Sequence, residues 1–233
     1  MPSNDALLGP PHGTSRRGIF ASNLAWALAM IGVRFSLYPM RDDFVPLILE
    51  AVKDLDRLGV QAEVDDVSTC LLGEEPNLFE AVRVAFGRAA CSGAHVVLTA
   101  TFSAGCPGEP EGDVCVPRAY AGPSGGEEGW SEEAYQLPEV VSAQFALYPL
   151  GVSGYMDAIY TEIESARQAG VVKVVGRHFC THLYGRGGAV FDVLRKAFAE
   201  TRSRAVHSVM TVTISANSPS LVDGAHVEDG GSH

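Results

Sequence analysis

His178 and His182 are the closely spaced histidine pair of this sequence, and imidazole is the commonest metal ligand. Both fall in a predicted strand, where four residues span roughly 13 Å, too far for two imidazoles to share one zinc ion. The five cysteines, Cys70, Cys91, Cys106, Cys115 and Cys180, contain no CxxC pair and cannot all pair with one another. Zinc–thiolate sites and a complete disulfide framework are thereby disfavoured, and a reducing cytoplasm is the simpler expectation. Nucleophilic catalysis needs a Ser or Cys beside a base and an orienting carboxylate. Ser103-Ala104-Gly105-Cys106-Pro107-Gly108 closes a strand without forming a nucleophile elbow. No GxGxxG follows a strand and no GxxxxGK[ST] occurs, which disfavours dinucleotide and P-loop sites. What remains is hydrogen-bonding chemistry. Thr69 and Thr181, and also His95 and His207, occupy equivalent positions on predicted strands, so a binding site without catalysis, cofactor or metal is the expectation.

Those equivalences arise because the chain repeats itself. Arg34-Phe35-Ser36-Leu37-Tyr38-Pro39 returns as Gln144-Phe145-Ala146-Leu147-Tyr148-Pro149, an offset of 110. Thr69-Cys70-Leu71-Leu72-Gly73 returns as Thr181-His182-Leu183-Tyr184-Gly185, an offset of 112. Leu78-Phe79-Glu80 is matched by Val190-Phe191-Asp192, and Thr101–Pro107 by Thr213–Pro219, which sets Cys106 opposite Ser218. The units are 32–107 and 143–219.

Within the first unit, Val33, Phe35 and Leu37 alternate with polar neighbours, a half-buried strand. Asp42 and Asp43 offer a cap for a helix carrying Phe44, Ile48, Ala51, Leu55 and Leu58, which Gly59 ends. Strands over Val60–Val64 and Val67–Leu72 follow, joined by a tight Asp65-Asp66 turn. Asn77 caps a second helix with Phe79, Val82, Phe86 and Ala90 on one face, and His95–Ser103 is the last strand. The second unit repeats the order, with Met156, Ile159 and Ile163 on its first helix and Val190, Leu194 and Phe198 on its second. This βαββαβ order predicts an α+β protein of tandem ferredoxin-like units, each a four-stranded antiparallel sheet with two helices on one face.

The remainder divides into an N-terminal extension over 1–31, a Gly/Pro/Glu-rich linker over 108–142 and a disordered tail over 220–233. The chain has 233 residues, 46% of them hydrophobic, enough for a core that needs no staple. Seventeen Lys and Arg against 28 Asp and Glu leave a net charge of −11, which repels phosphate backbones and anionic lipid. No nucleic-acid partner and no membrane insertion are therefore expected. Gly18–Val33 is too short and too polar for a comfortable membrane span, although Arg16-Arg17 ahead of it resembles an export signal.

Gly13-Thr14-Ser15-Arg16, the stretch from Gly32 to Met40, Asp42-Asp43-Phe44, and Thr101 to Gly108 resemble the YkoF family, as do Gln144–Pro149 and Ser215–Ser220. That family binds thiamin and its hydroxymethylpyrimidine half. The resemblance implies tandem ACT-like units, a homodimer, and a place in uptake or salvage of the thiamin precursor, with transporter components as partners. It also carries ligand contacts onto Leu37 and Thr69 and their counterparts Leu147 and Thr181. A strand backbone at Leu37 has an N–H and a C=O to offer an aminopyrimidine edge, and a Thr hydroxyl does either job. Phe35, Tyr38 and Phe102 are further candidates to wall the ring, with Ser36, Ser103 and Ser215 as polar neighbours. For the aromatics, plain core packing is the competing expectation; for the threonines it is β-propensity. In the family the GTSR segment runs almost directly into the first strand, whereas Arg17–Ile31 intervenes here as an added helix, an export signal or a gene-model error. An enzyme acting on a thiamin precursor and an ACT-like amino-acid sensor are the rival functions.

Overall fold

The alternation read from Val33 to Leu37 extends over nine residues, Ile31–Pro39 (β1), with Ile31, Val33, Phe35, Leu37 and Pro39 buried on one face. A computed structural model describes residues 31–105, 136–151, 160–161, 163–164, 167–168 and 170–221. The extension ahead of Ile31, most of the linker and the residues after Leu221 lie outside the described residues, as do Met156 and Ile159.

The helix after β1 runs over Phe44–Val52 (α1) and stops short of the expected end at Leu58. Asp54 takes a left-handed φ of 56°, and Leu55–Leu58 form a separate 3₁₀ turn that Gly59 closes at φ 77°. The cause is tertiary. Arg88 donates to the Lys53 carbonyl at 2.6 Å, replacing the helical partner that the break removes, while Leu55 stays buried. Asp43 is the residue before α1 but makes no side-chain cap; its carboxylate pairs with Arg41.

Strands Val60–Val64 (β2) and Thr69–Gly73 (β3) are joined by four residues, not by the tight Asp65-Asp66 turn expected. Asp65 Oδ1 accepts from the backbone N–H of Val67 (2.8 Å) and of Ser68 (2.7 Å), which folds the turn locally. Val67 and Ser68 are thereby taken out of the strand. Helix Glu75–Ala90 (α2) begins before Asn77, the expected cap, because Pro76 is preorganised for a first helical turn. Strand Val96–Ala104 (β4) ends the unit at Gly105, whose φ of 79° and distance of 2.0 Å from an added Cβ to the Val206 carbonyl oxygen exclude any side chain.

The second unit supplies Val141–Leu150 (β5), Lys173–Arg177 (β6), Cys180–Gly185 (β7), helix Gly187–Arg204 (α3) and His207–Ala216 (β8). Residues 160, 161, 163, 164, 167 and 168 are helical, at the place of the expected first helix. His178 lies in the β6–β7 turn rather than in a strand, with only His182 on β7.

Among the described residues the strands form one antiparallel sheet of eight, in the order β2-β3-β1-β4-β8-β5-β7-β6. This corrects the expectation of two separate four-stranded sheets. Each unit does contribute four adjacent strands, but β4 and β8 pair along their lengths, from Val96↔Ala216 to Ala104↔Ser208. The join is physically favoured because each strand would otherwise expose a long hydrogen-bonding edge.

Packing follows the join. Phe79 of α2 stacks on Phe102 of β4 at 4.1 Å between centroids, and Phe198 of α3 lies 5.8 Å from Phe102. The two units thus share one core. Arg202 of α3 donates to the buried Glu75 carboxylate of α2 at 3.0 Å. On the opposite face, His95 and Ser215 (3.0 Å) and Ser103 and His207 (3.2 Å) bridge β4 and β8 symmetrically.

Removing the Phe102 ring should cost ~3–5 kcal/mol, the usual range for a buried aromatic truncated to Ala. Buried Ser208 Oγ has no hydrogen-bond partner among the described residues, so Ser208→Ala should be neutral or stabilising. Thermal unfolding checks both: Phe102→Ala lowers Tm by roughly 6 °C or more for a chain of this size, and Ser208→Ala does not lower it.

Candidate functional site

The hydrogen-bond parity of β1 decides where polar backbone groups point. Met40 N–H donates to the His95 carbonyl at 2.8 Å, continuing the β1–β4 register that pairs Pro39 with Val96. In an antiparallel ladder, bonded and non-bonded pairs alternate. Even-numbered residues of β1 therefore bond to β4, and odd-numbered residues turn their N–H and C=O toward β3. The β1–β3 register ends at Phe35↔Thr69. Leu37 is the next odd residue, and its N–H and C=O project past the end of β3 without a partner among the described residues. Pro39, the odd residue after it, has no N–H and suits an open edge.

A groove of about 640 Å³ occupies this gap. One wall is α1, whose Phe44, Ile48 and Val52 recur every four residues on the side facing the sheet edge. The far end is the Asp65–Ser68 turn, and the floor comprises Phe35, Leu37 and Thr69. Ser36 Oγ donates to the Val67 carbonyl at 2.8 Å, tying the turn to β1. The Thr69 hydroxyl makes no hydrogen bond among the described residues and remains available to a ligand. Five of the residues singled out from the sequence, Phe35, Ser36, Leu37, Tyr38 and Thr69, are thus brought together.

Phe102, Ser103 and Ser215 are not among them. Phe102 is packed between α2 and α3, and the two serines hydrogen-bond to histidines across the β4–β8 junction. Ser36 acts on the turn. Met40, the α1 face and the whole turn were missed as site residues. The spacing of Phe44, Ile48 and Val52, an apolar stripe beyond what the core needed, is the signal that marks them.

The second unit repeats the edge. The β5–β7 register ends at Phe145↔Thr181, leaving Leu147 beyond the end of β7 as Leu37 lies beyond β3. The Thr181 hydroxyl likewise has no hydrogen bond among the described residues. Burial and the nearby Arg177 charge hold the His182 imidazole below its usual pKa. Among the described residues no group of three or more His, Cys, Asp or Glu could hold a metal ion, and no helix is long and apolar enough to cross a membrane.

A family model described as the YKOF-related family matches residues 30–109 and again 140–221. A protein of Bacillus subtilis (strain 168), provisionally named HMP/thiamine-binding protein YkoF, is 38% identical over 190 residues, covering 81% of this chain and 91% of the relative. Among solved structures, protein SP2199 from Streptococcus pneumoniae aligns at 20% identity and TM-score 0.33, over 36% of this chain and 94% of that one. Aspartokinase α and β subunits align at 10% identity and TM-score 0.19, over 74% and 94%. Structural likenesses this weak carry no argument.

Asp65 is the residue on which the first turn depends. Its hydrogen bond from Arg34 (2.7 Å), with those from Val67 and Ser68, lowers its pKa to about 2 from 3.8. A depressed carboxyl pKa means that the contribution of Asp65 to folding is complete above pH 3.8 and is lost as pH falls toward about 2. Side-chain carbonyl NMR should place its midpoint near 2, and Arg34→Gln should move that midpoint up toward 3.8.

Proposed function

Since the chain belongs to the YKOF-related family, we propose that it binds thiamin or its hydroxymethylpyrimidine (HMP) half without turning it over, one molecule per repeat. The observation that carries this reading is the Leu37 backbone, which is unpaired toward β3 among the described residues. An aminopyrimidine offers an amino donor beside a ring-nitrogen acceptor on one edge, and Leu37 offers a C=O beside an N–H. The ring would then extend the sheet as a short strand does, flanked by the apolar wall of α1 and within reach of the Thr69 hydroxyl. Leu147 and Thr181 present the same groups in the second repeat.

The strand order within each half supports reading the repeats as ferredoxin-like, ACT-like units. A binding role in uptake or salvage of the precursor, in the cytoplasm and with transporter components as partners, is the physiological setting we assign. The acidic surface suits a cationic thiazolium better than an anion.

Isothermal titration of the intact protein with HMP and with thiamin tests the reading. Two sites per chain are expected. Losing one neutral hydroxyl contact costs ~0.5–1.5 kcal/mol. Thr69→Val should therefore weaken one site several-fold and Thr181→Val the other. Binding that ignores both substitutions, or turnover of either ligand, would contradict the proposal.

A homodimer belongs to the same reading. The helix-free face of the sheet exposes Tyr38 and Tyr148, and such a face is commonly covered by a second copy. Light scattering at micromolar concentration should give twice the chain mass; a monomer would refute it.

A further inference from the structure

Helix α1 is too apolar for the little it buries. Glu50 is the one charged residue of Phe44–Val52, and Ala51 is the one buried residue. Phe44, Ile48 and Val52 wall the groove. Val45 and Leu49 are 53% and 63% exposed. Val45 stands three residues before Ile48, and Leu49 three before Val52, so helical geometry sets this pair beside the groove wall. Met40, which lines the groove just ahead of α1, is exposed as well. A helix apolar on this much of its circumference is ordinarily covered by another element. The excess belongs to the first repeat. The corresponding stretch of the second repeat, 154–164, carries Asp157, Glu162 and Glu164.

The chain carries an apolar stretch that fits this surface. Ser22 and Asn23 are the polar side chains of residues 18–30, which are otherwise Gly, Ala, Ile, Leu, Phe, Met and Trp. That stretch leads directly into β1 at Ile31. Beyond α1, Leu55–Leu58 and Gly59 deliver the chain to Val60, which pairs with Gly73 next to the Gly32↔Leu72 pair. Thus α1 runs from the Pro39 end of β1 back to its Ile31 end. Thirteen residues would span ~20 Å even if wound as a helix, against ~14 Å for the nine of α1. The stretch is therefore long enough to lie along the whole of α1 from Ile31.

Charge favours the same direction. Arg16 and Arg17 precede the apolar stretch, so they would arrive at the Pro39 end. Asp42 lies there ahead of α1, and Asp66 lies there in the turn that lines the groove with Pro39. Asp43, Asp65 and Glu50 are paired with Arg41, Arg34 and Lys53, whereas Asp42 and Asp66 have no ion-pair partner among the described residues. We propose that residues 18–30 dock on Met40, Val45 and Leu49 of their own chain, with Arg16 and Arg17 meeting Asp42 and Asp66. The docked stretch borders the groove at Phe44 and adds an apolar side to its mouth, whatever the groove binds.

Photo-crosslinking of the full-length protein tests this. The exposed position of Leu49 tolerates Leu49→p-benzoylphenylalanine without loss of the fold. On irradiation the label should join a peptide from residues 16–30 at the mass of one chain, with a yield independent of protein concentration. Arg16→Glu combined with Arg17→Glu should lower that yield several-fold, and adding Asp42→Lys and Asp66→Lys should restore part of it. Trp26 gives a second readout, because Trp130 is the one other tryptophan. In a Trp130→Phe background, Leu49→Asp should move Trp26 emission to longer wavelength and speed its quenching by acrylamide several-fold. A yield that rises with concentration and joins two chains assigns the surface to a second copy and overturns the proposal. A crosslink to another segment, no crosslink, or Trp26 emission that ignores Leu49→Asp overturns it equally.

Discussion

Past Phe35, β1 continues to Pro39 with a neighbour on one side only among the described residues. A buried or half-buried strand edge is a liability, because its N–H and C=O groups must find partners. The protein keeps this edge short and holds it open by three contacts: Asp65 folding the turn, Ser36 tying the turn to β1, and α1 standing beside the gap. Had Val67 and Ser68 continued β3, Leu37 would have been paired and the groove filled. The same truncation recurs opposite Leu147, so the opening belongs to the repeat and not to one local irregularity.

What anchors this edge is the centre of the molecule. β4 and β8 are each flanked by a strand of the other unit, and Phe79, Phe102 and Phe198 lock the helices over the seam. The groove lies toward an outer third of the sheet, where β3 runs out. Rigidity at the seam and unfilled bonding at the edges are complementary uses of one antiparallel ladder. Ligand-binding groups placed on strands in this way need little reordering on binding, which preserves affinity.

Much of this was legible from residue order alone. Period-two alternation marked β1, and internal repetition carried it to β5 and identified Leu37, Thr69, Leu147 and Thr181 as matched positions. The features that escaped depend on distant contacts. Nothing local marks the end of α1 at Val52, because the Lys53 carbonyl is satisfied by Arg88, which lies 35 residues on. The single eight-stranded sheet depends on pairing between strands more than a hundred residues apart, which periodicity within a strand does not report. Phe102 was half legible: an aromatic on a strand reads equally as ring-stacking wall or core, and only its stack on Phe79 separates the two.

One backbone amide distinguishes an open edge from a paired one. Residue-resolved hydrogen–deuterium exchange, with and without saturating HMP, reads it directly. In the free protein the Leu37 N–H should exchange far faster than that of Val33, four residues earlier on the same strand and paired with Leu71. With HMP bound, Leu37 should become protected while Val33 is unchanged. A Leu37 amide already as protected as Val33 in the free protein, or one that HMP leaves fast, would contradict the claim that this open edge is where the ligand binds.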